Sequence, residues 1–84
     1  MKVLFHEKAL EDYLYFKQNN KEIFEKINLL IKDIARSNFK GIGKPEPLKY
    51  NLAGFWSRRI TREHRLIYQL KDNVIYVLQC RYHY

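Results

Sequence analysis

Apolar positions along this chain change their period about midway. Ile23, Ile27, Leu30, Ile31 and Ile34 recur at spacings of three and four, which draws one apolar face along a helix. An earlier helix is expected over Glu7–Gln18, with Leu10, Tyr13 and Leu14 on one stripe. Asn19-Asn20 breaks it and can cap the second helix, whose first turn carries the favourable Glu22. Lys2–Phe5 is a short apolar stretch suited to an edge strand, and residues 39–47, with two Gly and two Pro, read as a loop. From Leu52 onward the period is two. Phe55–Ile60, Arg65–Leu70 and Val74–Tyr82 are rich in aromatic and branched residues and are separated by polar turns, as hairpin-connected strands are. The order predicts an α+β domain, residues 1–84, with two N-terminal helices packed on one face of a mainly antiparallel sheet.

Strand register then decides which side chains share a face. Leu66, Tyr68 and Leu70 form one row with Val74, Tyr76, Leu78 and Cys80 if the last hairpin closes through a three-residue loop, Lys71-Asp72-Asn73. On that register Arg65, Ile67, Gln69, Ile75, Val77, Gln79, Arg81 and His83 face away from the helices. An odd-length turn at Thr61–Glu63 adds Ser57 and Arg59 to this second face, with Arg59 opposite or diagonal to Arg65. Like charges so placed are unfavourable unless an anion sits between them, or unless both splay into water.

Charge sharpens this picture. The formal net charge is +7, and it is uneven: eight Lys/Arg against six Asp/Glu in residues 1–40, eight against three in residues 41–84. Five of the six Arg lie in the second half. Clustered arginine with interleaved aromatics suits phosphates and stacked bases, although a solubilising surface or an acidic protein partner would answer to the same charge. A single cysteine excludes an internal disulfide framework and fits a reducing cytosol, so a cytoplasmic protein is expected. No apolar run is long enough for a membrane span, and the N-terminus turns charged too early for a secretory signal.

Three stretches could carry chemistry. In Lys44-Pro45-Glu46-Pro47-Leu48-Lys49 a proline on each side stiffens the backbone around Glu46, which a positioned general base requires. Phe55-Trp56-Ser57-Arg58-Arg59-Ile60, continued to Arg65, supplies the arginines; Trp56 reads as core and His64 as structural. Cys80-Arg81-Tyr82-His83-Tyr84 is an aromatic-rich chain end, with Cys80 in the core row and His83 an imidazole suited to proton transfer near neutrality. Each feature alone has an ordinary reading: a solvated Glu, splayed arginines, a strand-end imidazole. Together they describe RNA cleavage without a metal, in which the 2′-hydroxyl is the nucleophile and side chains move protons and stabilise charge. No ligand spacing for a metal and no glycine-rich phosphate loop is present in the sequence, so no cofactor is expected.

At these stretches the sequence resembles the YoeB/Txe branch of the RelE toxin superfamily over essentially the whole chain. Its most specific parts are Gly43-Lys44-Pro45-Glu46-Pro47-Leu48-Lys49, Phe55-Trp56-Ser57-Arg58-Arg59-Ile60 and Cys80-Arg81-Tyr82-His83-Tyr84. The resemblance implies a microbial-ribonuclease-like α+β fold and a type II toxin that cuts mRNA in the ribosomal A site and is silenced by a cognate antitoxin. It implies Glu46 as general base, His83 as general acid, Arg65 as the phosphate-stabilising cation and Tyr84 as a terminal site residue. Lys49 and Arg59 are then supporting cations, and Lys44 and Arg81 complete the residues expected to meet RNA. The expected partners are the antitoxin, the ribosome and mRNA, with a homodimer left open. A non-catalytic inhibitor of the same fold, binding the ribosome, RNA or gyrase, is the competing expectation.

Overall fold

The computed structural model describes residues 1–83. Strand β1 (Lys2–Phe5) leads into helix α1 (Glu7–Asn19) and helix α2 (Lys21–Ser37); β2 (Glu46–Pro47), β3 (Trp56–Arg59), β4 (Arg65–Lys71) and β5 (Val74–Gln79) follow. The sheet order is β1-β5-β4-β3-β2. All neighbours are antiparallel except β1, which lies on the edge beside β5 and runs parallel to it. The expected α+β architecture is therefore observed, with one addition: the end of the expected 39–47 loop forms a two-residue strand that carries Glu46. Among the described residues no helix is long and apolar enough to cross a membrane.

The helices form for the reasons their sequences suggest. Asn20 caps α2, its side chain accepting from the Ile23 N–H at 3.2 Å. Ile27, Leu30 and Ile34 are buried as one stripe, with Ile23 and Ile31 packed at its margins. α1 is rotated from expectation. Leu10 and Leu14 are exposed, and Ala9, Asp12 and Phe16 face the sheet. Small Ala9 lets the α1 backbone approach so closely that the Cys80 thiol lies 3.3 Å from its carbonyl oxygen. Asp12 tolerates the interior because Lys8 and Arg81 both reach its carboxylate.

The last hairpin departs from the predicted register. β4 and β5 are joined by the two-residue turn Asp72-Asn73, both residues left-handed at φ 52° and 62°, and Lys71 pairs with Val74. Ile75 and Val77, not Val74 and Tyr76, accordingly join Leu66 and Tyr68 in the core. The register then slips: Tyr68 pairs with Val77 but Ile67 with Gln79, leaving Leu78 as a bulge that returns Cys80 to the core. Val74 through Leu78 is apolar on both faces, so alternation alone could not choose between the two rows.

A buried cation organises the helix face. Arg58, with no exposed surface, shares a face of β3 with Trp56 and points at α2. Its Nη1 donates to Asp33 Oδ2 at 2.6 Å and to the Ile42 carbonyl at 3.1 Å. Nη2 donates to the carbonyls of Asn38 and Lys40, and Nε to the Tyr68 hydroxyl. The Asp33 carboxylate also accepts from Arg36 and from the Ile42 N–H. Arg58 and that N–H hold its pKa below the ordinary 3.8 against the opposing effect of burial. Its stabilising contribution is therefore present above that value and lost as the pH falls below it. Gly41, at φ 111°, passes so close that any Cβ there would collide with the Asp33 carboxylate.

Replacing Arg58 with Met should cost about 3–5 kcal/mol, because it removes the buried cation paired with Asp33 and leaves several carbonyls without a donor. Denaturant unfolding measures this, and a loss below about 1 kcal/mol would show that the network contributes little.

Candidate nucleic-acid-cleaving site

The alternation that sends Arg58 into the core sends its neighbour Arg59 to the other face. Arg59 lies directly opposite Arg65 across the β3–β4 pair, and Ser57 opposite Ile67, as the odd-length turn implied. The turn between the strands is closed by the Ile60 N–H on the His64 carbonyl at 3.0 Å, with the Thr61 hydroxyl accepting from the N–H groups of Glu63 and His64. The same turn orients Arg65. Its Nη1 donates to the carbonyls of Thr61 at 2.7 Å, His64 at 3.0 Å and Arg62 at 3.2 Å.

Around this arginine pair lies an open cleft of about 850 Å³, lined in part by Lys26, Lys44, Arg59, Arg62, Arg65 and His83. Among the described residues no carboxylate lines this cleft, and its five Lys/Arg side chains give it a positive potential. The Gly43 carbonyl accepts from the Arg59 N–H at 2.6 Å, which pins the start of the Lys44 segment to β3. His83 is exposed at the mouth with Nε2 3.2 Å from the Arg62 carbonyl oxygen, to which it can donate.

Glu46 reaches the same sheet face by a different route. β2 pairs Glu46 with Ser57, two residues before Arg59 on β3, which sets it roughly 7 Å along the strand from the arginine pair. The order across the face is thus Glu46, Arg59, Arg65, then the chain end bearing His83. Lys49 belongs to the Glu46 side: it lines a neighbouring surface with Glu46, Pro47 and Tyr50 and is absent from the lining of the arginine cleft. Tyr84 lies outside the described residues. Among the described residues no group of three or more His, Cys, Asp or Glu could hold a metal ion.

Arg81 was expected on this open face and is found elsewhere. Its Nη1 lies 3.5 Å from Asp12 Oδ1, and its guanidinium stacks over Tyr15 at 4.2 Å, with Phe16 and Tyr82 also within reach. Regular alternation ends at Gln79, and the chain then turns, with Tyr82 at φ 63°, so position 81 swings to α1 while position 83 reaches the cleft. Lys26 and Arg62 are cleft residues that the sequence reading did not single out. Arg62 could have been suspected from the Thr61–Glu63 turn, whereas Lys26 is on α2 and only packing brings it here. Cys80 is an inert core thiol, its pKa pushed up to about 12 by burial.

Known proteins share much of this sequence and its fold. Residues 5–84 match the YoeB-like toxin of bacterial type II toxin–antitoxin systems. The toxin YoeB of a Synechocystis strain is 57% identical over 84 residues, covering 100% of this chain and 98% of that protein. The YoeB/ParE toxin from Agrobacterium tumefaciens superposes with a TM-score of 0.97 at 44% identity, each chain covered completely. A YoeB–YefM complex from Staphylococcus aureus contains a chain with a TM-score of 0.95 at 53% identity, covering 100% of this chain and 98% of that one.

Two arginines face to face imply a trade between stability and anion binding. Arg59→Gln should raise the melting temperature slightly at low salt by removing like-charge repulsion. Added sulfate should raise it in the parent by several degrees and scarcely at all in an Arg59→Gln, Arg65→Gln double variant. Thermal melts over a sulfate series test this; equal shifts in both proteins would remove the cleft as an anion site.

Proposed function

This chain belongs to the YoeB-like toxins of bacterial type II toxin–antitoxin systems, and on that premise we propose that it is a ribosome-dependent endoribonuclease that cuts mRNA in the A site. The observation that carries the reading is the Arg59–Arg65 pair, flanked on one sheet face by a carboxylate and an imidazole. A scissile phosphate seated between the arginines satisfies two like charges that otherwise repel. Glu46 takes the proton of the 2′-hydroxyl as that oxygen attacks the adjacent phosphorus. Arg65, with Arg59, meets the charge that develops on the non-bridging oxygens. His83 gives a proton to the departing 5′-oxygen, so the products are a 2′,3′-cyclic phosphate and a free 5′-hydroxyl. Lys44 and Lys49 hold flanking phosphates, and Tyr84 is assigned to the site from the family resemblance alone. DNA, which lacks the nucleophile, is not a substrate.

Ribosome dependence has a physical rationale. An exposed, strongly basic cleft is steered to the ribosomal RNA backbone, and the decoding site presents the unpaired mRNA that such a site needs. The protein acts in the cytoplasm, with a cognate antitoxin as its protein partner. The antitoxin partner is supported by the relative solved as a YoeB–YefM complex.

Purified protein added to ribosomes programmed with a defined mRNA should generate new ends at the A-site codon, mapped by primer extension. Glu46→Ala and His83→Ala should each slow cleavage by roughly 10²–10⁴-fold, and mRNA without ribosomes should be cut poorly. Blocked translation without cleavage, undiminished in both variants, would place the protein among non-catalytic inhibitors.

A further inference from the structure

The segment that delivers His83 is not a continuation of β5, and its conformation is held by two side chains to which no function has been given. After Gln79 the chain turns through Tyr82, whose left-handed φ of 63° is uncommon for a non-glycine residue. The Tyr82 N–H donates to His64 Nδ1 at 2.8 Å, and the Tyr82 carbonyl accepts from the Arg65 N–H at 3.0 Å. From the opposite side the Gln79 amide Nε2 lies 2.8 Å from the Arg81 carbonyl oxygen, 2.9 Å from that of His83 and 3.3 Å from that of Tyr82. Three consecutive carbonyls thus converge on one side-chain amide, and the intervening N–H on one ring nitrogen.

His64 is built for this contact. It is buried, with the Phe16 ring edge-on at 5.2 Å and Tyr82 at 5.6 Å. A nitrogen that accepts from a backbone N–H carries no proton, so the ring proton resides on Nε2, which donates to Glu63 Oε1 at 3.1 Å. We propose that His64, through its Nδ1 acceptor, and Gln79, through its amide, are positioning residues that hold the Tyr82 turn so that His83 is presented to the Arg59–Arg65 cleft. The inference rests on the reading of His83 as the acid.

Protonation of Nδ1 would set two donors against each other and release the turn. The charged groups around His64 come from three elements: Glu63 beside it on the turn, Asp12 on α1, and Arg81 and His83 on the chain end. Burial is the largest influence and holds the imidazole below its ordinary 6.5. The unfolded chain therefore takes up this proton first on acidification, so the stabilisation is complete above about 6.5 and is lost as the pH falls through the lower value of the folded protein.

The test compares His64→Asn, whose side-chain oxygen can replace Nδ1 as acceptor, with His64→Leu, which fills the space without one. Gln79→Met, which keeps length and removes the amide, is the second variant should His64→Leu not fold. On programmed ribosomes His64→Leu and Gln79→Met should lower kcat by about 100-fold with KM within about twofold, and His64→Asn should recover most of the loss. In parallel, amide hydrogen exchange at Tyr82 should be at least about tenfold slower in the parent and His64→Asn than in His64→Leu. Parent-like kcat in both His64→Leu and Gln79→Met, or unchanged Tyr82 protection in His64→Leu, would overturn the inference while leaving the proposed reaction intact. A parent that cuts no RNA would remove the reaction, and with it the presentation of an acid. Tyr82 exchange would then decide separately whether His64 holds the turn.

Discussion

The Arg58 guanidinium, entirely out of solvent, bonds at once to α2 through Asp33, to β4 through Tyr68 and to the 38–42 segment through three carbonyls. A buried cation on these terms is unforgiving, because each of its donors must find an acceptor and the carboxylate facing it must stay ionised. The consequence is positional. Residues 38–42 would otherwise be a glycine-containing surface loop, and the acceptors of Arg58 tie them to the sheet. The chain then enters β2 from a defined point. Gly43 bonds Arg59, Lys44 lines the cleft, and Glu46 pairs with Ser57. The carboxylate of the proposed reaction is therefore held on the sheet by a network that lies on the opposite face.

Strand alternation couples the two faces. Because neighbouring side chains on a strand point opposite ways, the Arg58-Arg59 dipeptide divides its labour: one guanidinium is consumed by the core and the other is left facing Arg65. A single register error at β3 would bury Arg59 and expose Arg58, destroying core and cleft together. The placement of the arginine pair is thus as strongly specified as the packing of Leu66 and Tyr68, which share the strand with Arg65. The unfavourable pairing of like charges persists because the remainder of the hairpin fixes it, a common property of functional sites.

Local signals in the chain were reliable wherever one face of an element differed sharply from the other. The α2 stripe, the Asn20 cap, the β3–β4 parity and hence the opposition of Arg59 and Arg65 could all be read directly, since each rests on a single period or a single cap. Arg58 was not singled out, although the same parity puts it on the face of Trp56 and Ile60, from which its burial could have been anticipated. Periodicity carries no such signal where both faces are apolar. Val74-Ile75-Tyr76-Val77-Leu78 offers two equivalent rows, and the Asp72-Asn73 turn with the bulge at Leu78 selects between them through contacts that span the domain.

By itself, then, the sequence determined the α+β order, the helix faces of strong contrast, the arginine pair and the family to which the chain belongs. These are properties of nearest-neighbour periodicity and of motifs that lie within a few residues. Tertiary structure alone decided that Arg81 serves α1 through Asp12 and Tyr15, that Lys26 joins the cleft from a helix, and that His64 holds the turn before His83. The physical reason is separation along the chain. Asp12 and Arg81, or His64 and Tyr82, meet only after the sheet has closed, and no local period carries information about a contact between residues that far apart.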